Sequence, residues 1–364
     1  MERRLLALAA TACFAATQAH AQSTVTLYGN VDSAVAYFSN VNGRPLYLNQ
    51  DGNLVPDLFG LTGAEDLGGG LRAVFRLEAG YSLNSGKLVV PGQIFQRESS
   101  VGLKSDALGN LTFGHQPSFM YDTLSPYSTA YLGGGFSAFH QGNLDELANT
   151  FEFDNSVKYL SASYRGLSVG AQFGFGNHPG AFAAGRNYGF TLKYQIGSFS
   201  FGAAYANEND RYLEMASFIG LKSLFGAPLP GAQIVARNVE NWGVGGSYAL
   251  GSALLHVLFT QTRIAAPIGA GEGSSVANTV DTGVTYAFQT DTLGAGATVE
   301  NFAGGHWVTV ALSNAWQLSK RTSLYQQLMY QKATGANAVA SMVGAGPASG
   351  GSQFGAAVGI QHFF

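Results

Sequence analysis

The chain is poor in cysteine and in charge. Its one cysteine, Cys13, lies near the N-terminus, so the rest of the sequence can form neither a disulfide nor a thiolate metal site. Charged residues make up 11% of the chain, whereas soluble domains usually carry about 25%. The formal net charge is −3, and nothing in the sequence indicates a nucleic-acid partner.

Long apolar runs are missing as well. Beyond the N-terminal segment no stretch reaches the about 18 consecutive apolar residues that a transmembrane helix needs. Hydrophobic residues nevertheless make up 46% of the chain. A membrane protein of this kind must be a closed β-barrel, because only helices and closed barrels pair every backbone polar group within lipid. The 17 Tyr and 25 Phe suit the aromatic girdles of such barrels.

The N-terminal segment has the features of a targeting signal in the expected order. Arg3 and Arg4 precede a short apolar stretch, residues 5–16, and Ala19 and Ala21 supply the small residues of a signal-peptidase site. We therefore interpret residues 1–21 as a signal peptide and residues 22–364 as a single transmembrane barrel domain.

The dominant periodicity of the remaining chain is two residues. In residues 71–79, Leu, Ala and Phe side chains share one face, while Arg72, Arg76 and Glu78 lie on the other. This alternation is typical of a strand with one face in lipid or protein and the other in water. The chain also ends on an alternating segment whose last residue is the aromatic Phe364, which resembles the sorting signal of outer-membrane barrels.

Counting such segments predicts an all-β fold, an antiparallel transmembrane barrel of about sixteen strands, each near the ten or so residues that a tilted strand needs to cross a bilayer. Short turns, such as 106–108 and 197–198, alternate with longer loops, such as 209–237 and 333–352. This asymmetry is typical of outer-membrane barrels, whose short turns face the periplasm. The predicted strands are 24–38, 57–66, 69–82, 94–105, 109–116, 154–164, 167–176, 187–196, 199–208, 238–249, 252–263, 278–289, 292–302, 306–317, 322–332 and 353–364.

The longest predicted loop comprises residues 117–153, between the fifth and sixth strands. A loop of this length is usually either functional or disordered. We expect it to fold into the barrel and narrow the pore, and a flexible external loop is the alternative.

Several segments resemble one known family. Residues 24–29 are similar to the first strand, and residues 59–71 to the second hairpin, of the general trimeric porins of Gram-negative bacteria, especially the β-proteobacterial type. Arg97 with residues 101–103 resembles the fourth strand of these porins, and residues 154–159 resemble the sixth. Taken in order, the motifs cover essentially the whole chain.

The resemblance implies a function as well as a fold. It implies a barrel of about sixteen strands, a homotrimer and an inward third loop that forms the constriction. The implied activity is passive diffusion of small hydrophilic solutes and ions across the outer membrane, with no catalysis, cofactor or metal. The expected partners are further copies of the chain, outer-membrane lipid and lipopolysaccharide, the barrel-assembly machinery and small solutes. Small exterior residues are expected between subunits, such as Ala34, Ala36, Ala356 and Ala357.

The resemblance is weakest at the constriction, where the family opposes basic wall residues to acidic loop residues. Arg97 keeps one wall arginine, whereas the positions that depart from the family's charge pattern are Leu58, His115, Leu132, Glu152 and Asp154. Two unit charges about 4 Å apart interact by about 4 kcal/mol at an effective dielectric constant near 20, so one exchange of a basic for an acidic residue can reverse an ion preference. We therefore expect weak cation selectivity or low selectivity.

The candidate pore-lining residues combine these departures with the charged and aromatic residues of the wall and the long loop. They are Arg72, Arg76, Arg97, His115, Asp122, Tyr131, Leu132, Asp145, Glu146, Glu152 and Asp154. Asp122, Asp145 and Glu146 also stay open as calcium ligands, since Ca²⁺ prefers carboxylate oxygens.

Three other interpretations stay open at this point. A substrate-specific channel would guide its ligand along an aromatic track such as Tyr121, Tyr127 and Tyr131. A hydrolase would need a nucleophile, and the one Gly-x-Ser-x-Gly match, residues 166–170, follows a tight turn and continues into an alternating strand rather than a helix. A structural or adhesive barrel would not conduct ions.

Overall fold

Sixteen antiparallel strands form the wall of a closed barrel in the computed structural model, which describes residues 24–267, 270 and 272–364. The fold prediction is therefore confirmed, while the predicted signal peptide, residues 1–21, lies outside the described residues. The wall strands are β1 (Thr24–Val41), β2 (Leu58–Gly68), β3 (Leu71–Gly80), β4 (Glu98–Ser105), β5 (Gly109–Pro117), β6 (Glu152–Leu160), β7 (Leu167–Gly174), β8 (Asn187–Ile196), β9 (Phe199–Tyr212), β10 (Val235–Leu250), β11 (Ala253–Ala265), β12 (Ser274–Phe288), β13 (Asp291–Phe302), β14 (Gly305–Gln317), β15 (Thr322–Thr334) and β16 (Ser352–Phe363).

The barrel closes where its first strand meets its last. One edge of β1 pairs with β16 between Asn30 and Phe38. The other edge pairs first with β2, from Thr24 to Asn30, and then with an additional strand, Arg44–Asp51. The remaining wall strands pair with their neighbours in sequence. Closure removes the open sheet edges that would otherwise be unpaired in lipid.

Inward and outward side chains alternate along the strands. In β15, Ser323, Gln327 and Gln331 are buried inside the barrel, whereas Leu328 and Tyr330 point outward and are 49% and 45% exposed. Successive side chains of a strand point to opposite faces, so this pattern follows directly from the alternating sequence. The outward apolar side chains form the surface that lipid covers in a membrane.

The expectation of small exterior residues on the first and last strands is largely wrong. Ala34 and Ala36 are buried inside the barrel, because Val35 between them takes the outward position and is 73% exposed. Ala357 is buried inside as well, and Ala356 is half-buried. The register of the alternation, which sequence patterns define only to within a residue, decides which alanine faces out.

Short connections collect at one end of the barrel and most long loops at the other. Residues 69–70 and 197–198 are tight turns, whereas 118–151 and 213–234 are long loops. One connection at the long-loop end is short, the two-residue turn 303–304 between β13 and β14. We refer to residues 118–151 as the third loop.

The loops contain short helical segments and two small hairpins. The α-helix α1 (Phe119–Leu124) and a single π-helical turn (Ala130–Gly134) lie in the third loop. The 3₁₀ turns are Ser125–Tyr127, Phe136–Ala138, Gln141–Asn143 and Ala216–Phe218, and the hairpins pair Ser223–Leu224 with Ala227–Pro228 and Ser341–Met342 with Gly346–Pro347. None of the helices in the described ranges has the length and apolar character needed to cross a bilayer.

Candidate functional site

The third loop folds into the barrel and follows the inner face of its wall. Thr123 bonds to Thr191 of β8 (Oγ1–Oγ1, 2.7 Å), and the hydroxyl of Tyr127 lies 2.7 Å from Oγ of Ser200 on β9. Farther along, the carbonyl of Gly133 accepts a hydrogen bond from Nε2 of Gln327 on β15. The inward course predicted for this loop is therefore confirmed, and the loop crosses the lumen from β8 to β15.

Glycines in the wall make room for the loop. A Cβ placed on Gly245 of β10 would lie 2.6 Å from the ring of Tyr127, and one on Gly296 of β13 would lie 2.2 Å from Oγ1 of Thr129. Real Cβ atoms do not approach other heavy atoms so closely, and overpacking of this kind forces side chains and backbone to shift. These two inward glycines therefore allow the loop to lie directly against the strands.

His140 anchors the middle of the loop between two carboxylates. Its Nδ1 lies 2.6 Å from Oδ2 of Asp145, and its Nε2 lies 3.2 Å from Oδ2 of Asp281 on β12. Asp281 also accepts hydrogen bonds from the backbone N–H and the hydroxyl of Thr129, at 2.8 and 2.5 Å. Thr260 of β11 donates a hydrogen bond to Asp145 at 2.6 Å. The cluster therefore fastens two parts of the loop to two wall strands.

The histidine in this cluster is held in its charged form. Burial alone would lower the pKa of His140, but the surrounding carboxylates of Asp145, Asp281 and Glu300 hold that pKa well above its ordinary value. In the same way, the His140 ring outweighs the effect of burial and lowers the pKa of Asp145. At neutral pH the anchor is thus a buried imidazolium between buried carboxylates.

A second anchor joins the end of the loop to β9. Arg211 donates from Nη1 to Glu208 at 2.8 Å and forms an ion pair with Glu146 of the loop. Its guanidinium also lies 5.0 Å from the centre of the Phe151 ring. Burial raises the pKa of Glu146 well above its ordinary value; the arginine opposes this effect and the nearby Glu208 carboxyl reinforces it. The buried guanidinium of Arg211 is therefore bonded to two carboxyl groups, those of Glu146 and Glu208.

On the opposite wall, Glu78 of β3 is bonded to two of the three arginines that were predicted to face the pore. Arg76 donates from Nη2 to Oε2 of Glu78 at 2.6 Å, and Arg97 donates from Nε to Oε1 at 2.8 Å. The Tyr28 hydroxyl donates to the same carboxylate at 2.8 Å, and Arg76 also lies 3.4 Å from Glu98. Both guanidinium charges are therefore offset by neighbouring carboxylates.

His115 joins the end of β5 to the start of β6. Its Nδ1 lies 2.6 Å from Oδ1 of Asp154, and its Nε2 lies 2.7 Å from the carbonyl oxygen of Gln96. Glu152 approaches the same ring to 3.9 Å. The side chain of Asp154 is 75% exposed, whereas that of Glu152 is 10% exposed. Asp154 is thus the acidic group of this pair that faces water.

A cavity of about 750 Å³ lies at the long-loop end, between the wall around β2–β6 and the inner loops, and we call it the outer cavity. Its lining carries many more acidic than basic groups. The carboxylates are Asp51, Asp57, Glu152, Asp154 and Glu214. Among the described residues its only basic side chains are Arg97 and His115.

Four of the predicted site residues line the outer cavity, namely Arg97, His115, Glu152 and Asp154. Arg72 does not, because it lies beside the tight turn at the other end of β3, where it forms an ion pair with Asp106. The three wall arginines are paired with neighbouring carboxylates, Arg72 with Asp106 and both Arg76 and Arg97 with Glu78.

The loop residues that were predicted to line the pore do not line the outer cavity. Asp145 and Glu146 are 3% and 0% exposed, so they are anchor residues and not pore-lining ones. Asp122 is held by Lys158 at 2.5 Å, and its carbonyl accepts a hydrogen bond from Lys193 at 2.7 Å. Of the remaining two, Tyr131 is 58% exposed and Leu132 is half-buried, and neither belongs to the outer cavity.

The residues named for a calcium site, an aromatic track and a nucleophile are not arranged as those sites require. Asp122, Asp145 and Glu146 each have a different basic partner, and no group of three or more His, Cys, Asp or Glu side chains is placed for a metal ion within the described residues. The aromatic track is interrupted because Tyr127 is buried against the wall. Ser168 of the Gly-x-Ser-x-Gly match lies in β7, which follows a turn and leads into no helix.

Sequence reasoning missed several residues of the site. Glu78 was visible in the alternation of 71–79, on the same face as Arg76, and its two-residue spacing from that arginine was the available signal. His140 lies five residues before Asp145 in the long loop, and this closeness in sequence was the available signal. Asp281, Glu208 and Arg211 lie far away in sequence, and no local pattern connects them to the loop.

Comparison with known proteins places this geometry in a family. A family model described as Gram-negative porin matches residues 7–336. An outer membrane porin protein of Bordetella pertussis is 27% identical over 91% of this chain and 94% of its own length. Outer membrane porin protein 32 of Delftia acidovorans is 28% identical over 100% of both chains.

The solved structures agree with this assignment. The structure described as an anion-selective porin from Comamonas acidovorans superposes with a TM-score of 0.77 at 25% identity, and the match covers 94% of this chain and 100% of that one. The match along nearly the full chain, the closed barrel and the inward third loop all lead to one conclusion. The chain belongs to the Gram-negative porin family and is an outer-membrane channel for passive diffusion, not an enzyme.

Proposed function

We propose that ions and small hydrophilic solutes cross the barrel through the outer cavity and that this passage favours cations. The observation that carries the proposal is the imbalance of charge in the cavity lining. Among the described residues of the lining, five carboxyl groups face one arginine and one histidine. Rings and clusters of acidic side chains attract cations and repel anions in water-filled pores.

The basic groups of the lining do not offset this imbalance. The guanidinium of Arg97 is buried and bonded to Glu78, which contributes a further carboxylate beside it. Asp154 is paired with His115, and most of its side chain is exposed to water. Because a low-dielectric wall focuses the field of such charges into the channel, a surplus of a few acidic groups is enough to bias permeation.

The proposed preference is opposite to that of the Comamonas relative, whose structure is described as an anion-selective porin. The site residues, and not the shared fold, determine this property. In this chain Glu152 and Asp154 lie at the start of β6, beside His115. These two residues support a different selectivity on the same barrel.

Uptake into proteoliposomes tests the proposal. Glucosamine (a cation), gluconate (an anion) and arabinose (a neutral sugar) are similar in size, so their relative uptake rates report charge selectivity. We expect arabinose to enter, glucosamine to enter several-fold faster than gluconate, and Asp154→Asn to narrow that ratio. Asp291→Asn, which removes a carboxylate at the short-turn end of β13, is the matched control and should leave the ratio unchanged. Faster uptake of gluconate contradicts the proposal.

We also propose that the chain forms a homotrimer that contacts lipid and lipopolysaccharide after insertion by the barrel-assembly machinery. Family membership supports this proposal, and so does the apolar exterior near the closure, where Val35 and Val358 are 73% and 64% exposed. Native mass spectrometry of the detergent-extracted protein should give a mass of three chains. A single chain in all mild detergents contradicts the trimer.

A further inference from the structure

We propose that the outer cavity is a binding site for an organic ammonium ion with an apolar body, such as an arylalkylamine. The inference deepens the proposed function and rests on it, because it assigns a solute class to the same passage. It depends on three features of the cavity, namely its apolar side, its unpaired acceptor atoms and its acidic groups.

The first feature is an apolar and aromatic side that small inorganic ions would not require. The loops contribute Tyr81, Val89, Phe136 and Phe151 to the lining, and the end of β9 contributes Tyr212. The cavity volume of about 750 Å³ lies within the range of roughly 300–1,000 Å³ that is typical of sites for organic ligands. Apolar surface in contact with water favours a ligand that covers it.

The second feature is a pair of buried acceptor atoms without donors. Oδ1 of Asn149 and Oδ2 of Asp57 have no hydrogen-bond partner among the described residues, although Asn149 and Asp57 are only 5% and 2% exposed. Both residues line the outer cavity, Asn149 from the third loop and Asp57 from the segment just before β2. Buried polar atoms are normally paired, so two acceptors without donors indicate a ligand that supplies N–H groups.

The third feature is the sign of the charge. An ammonium group carries three N–H donors, and charge-assisted hydrogen bonds to carboxylates are stronger than neutral ones. Asp51 and Asp154 lie in the same lining as the unpaired acceptors. The faces of Tyr and Phe rings add cation–π attraction for an ammonium ion that lies within about 6 Å of them. Among the described lining residues, both basic groups that a carboxylate ligand could meet already have acidic partners, Arg97 in Glu78 and His115 in Asp154.

Block of single-channel current in planar bilayers provides the test. The probe is 2-phenylethylammonium, added at pH 7 to the side that carries the long loops. Three comparison solutes each differ from this probe in one feature. Phenylacetate carries a negative charge, 2-phenylethanol carries no charge, and ethylammonium has no aromatic ring. We expect the half-blocking concentration of 2-phenylethylammonium to be at least tenfold lower than that of each of the three.

Two variants locate the site. Asp154→Asn should raise the half-blocking concentration several-fold, and Tyr212→Ala should reduce the advantage over ethylammonium while leaving the preference for cations. Asp291→Asn, at the far end of the barrel, is the control and should leave block unchanged. The open-channel conductance of each variant reports whether it has folded and inserted.

The possible results separate the two proposals. Equal block by all four solutes, or no block, in a channel that conducts and prefers cations overturns the binding site and leaves the proposed function intact. Preferential block by phenylacetate overturns the binding site and the cation preference together. A protein that inserts but does not conduct overturns the proposed function, and the binding site with it.

Discussion

Gly29 lies directly beneath the aromatic ring of the C-terminal residue, Phe364. The two residues exchange backbone hydrogen bonds, at 3.2 Å from N of Gly29 and 3.1 Å from N of Phe364. A Cβ on Gly29 would lie 2.2 Å from Cζ of Phe364. The first and last wall strands therefore meet at the seam that closes the barrel, where the absence of a side chain at Gly29 makes room for the ring of Phe364.

The first prediction concerns this seam. Gly29→Ala should destabilise the barrel by about 1–3 kcal/mol, the usual range for overpacking a filled site. Gly350→Ala is the matched control, because nothing lies within 4 Å of a Cβ at that position and its effect should be close to zero. Urea unfolding in lipid vesicles, followed by tryptophan fluorescence, measures both. Equal stability of the two variants would show that the ring is not packed as described.

The second prediction concerns the anchor at His140. Removing this cation with His140→Gln leaves the buried carboxylates of Asp145 and Asp281 without their partner, and breaking a buried ion pair in this way typically costs about 3–5 kcal/mol. His306→Gln, at an exposed histidine bonded to Asn301, is the control and should change stability little. Unfolding at neutral pH measures the difference.

The same anchor predicts the direction of a pH effect. Because the pKa of folded His140 is raised well above its ordinary value, the histidine contributes its full stability below about pH 6.5, the unperturbed value, and loses it as the pH rises through the folded pKa. Wild-type protein should therefore lose stability on the alkaline side, and His140→Gln should lose less. A larger alkaline loss in the variant contradicts this assignment.

The third prediction compares the basic residue of the second anchor, Arg211, with its loop carboxyl group, Glu146. Arg211→Met should destabilise the protein strongly, because it removes the buried guanidinium to which the carboxyl groups of both Glu146 and Glu208 are bonded. Glu146→Gln should be tolerated or stabilising at neutral pH, since burial already raises the pKa of Glu146 and favours its neutral form. Urea unfolding at neutral pH measures the stability of both variants. Current noise from a loosened third loop, recorded in bilayers, provides a second measurement. Equal damage by both substitutions would show that Glu146 is needed as a carboxylate.

A fourth prediction links selectivity to pH through Asp57. Burial raises the pKa of this carboxyl to about 6, and the nearby Asp32 and Asp51 carboxylates add to the effect. The charge on Asp57 therefore appears as the pH rises through about 6, and the cation preference should increase between pH 5 and pH 7. Asp57→Asn should reduce this increase, whereas Asp291→Asn should retain it. An increase of the same size in Asp57→Asn contradicts the role of this residue.

The fold was predictable from the sequence because each wall strand carries its own local pattern. In β3 and β15 the two-residue alternation alone distinguishes the lipid face from the lumen, and the predicted strands lie close to the observed ones. The glycines of the wall strands are also visible in the sequence, but the reason for their positions is not. Gly245 and Gly296 acquire a meaning only when Tyr127 and Thr129 are placed against them.

The site was less predictable because its contacts join residues that are distant in sequence. Arg97, His115, Glu152 and Asp154 were identified from their departure from a family pattern, and they do meet in one cavity. The wall partners of Asp145 and Glu146 could not be inferred locally, since Thr260 and Arg211 lie on strands that are distant in sequence. Without those partners, two anchoring carboxylates were interpreted as pore-lining residues.

Ion selectivity of the wild-type channel is the most direct test of the central claim, which is that acidic residues dominate the passage. The measurement is the reversal potential of the open channel in a planar bilayer, under a tenfold gradient of potassium chloride at pH 7. The account predicts a reversal potential whose sign corresponds to higher permeability for K⁺ than for Cl⁻. A reversal potential of the opposite sign would contradict it.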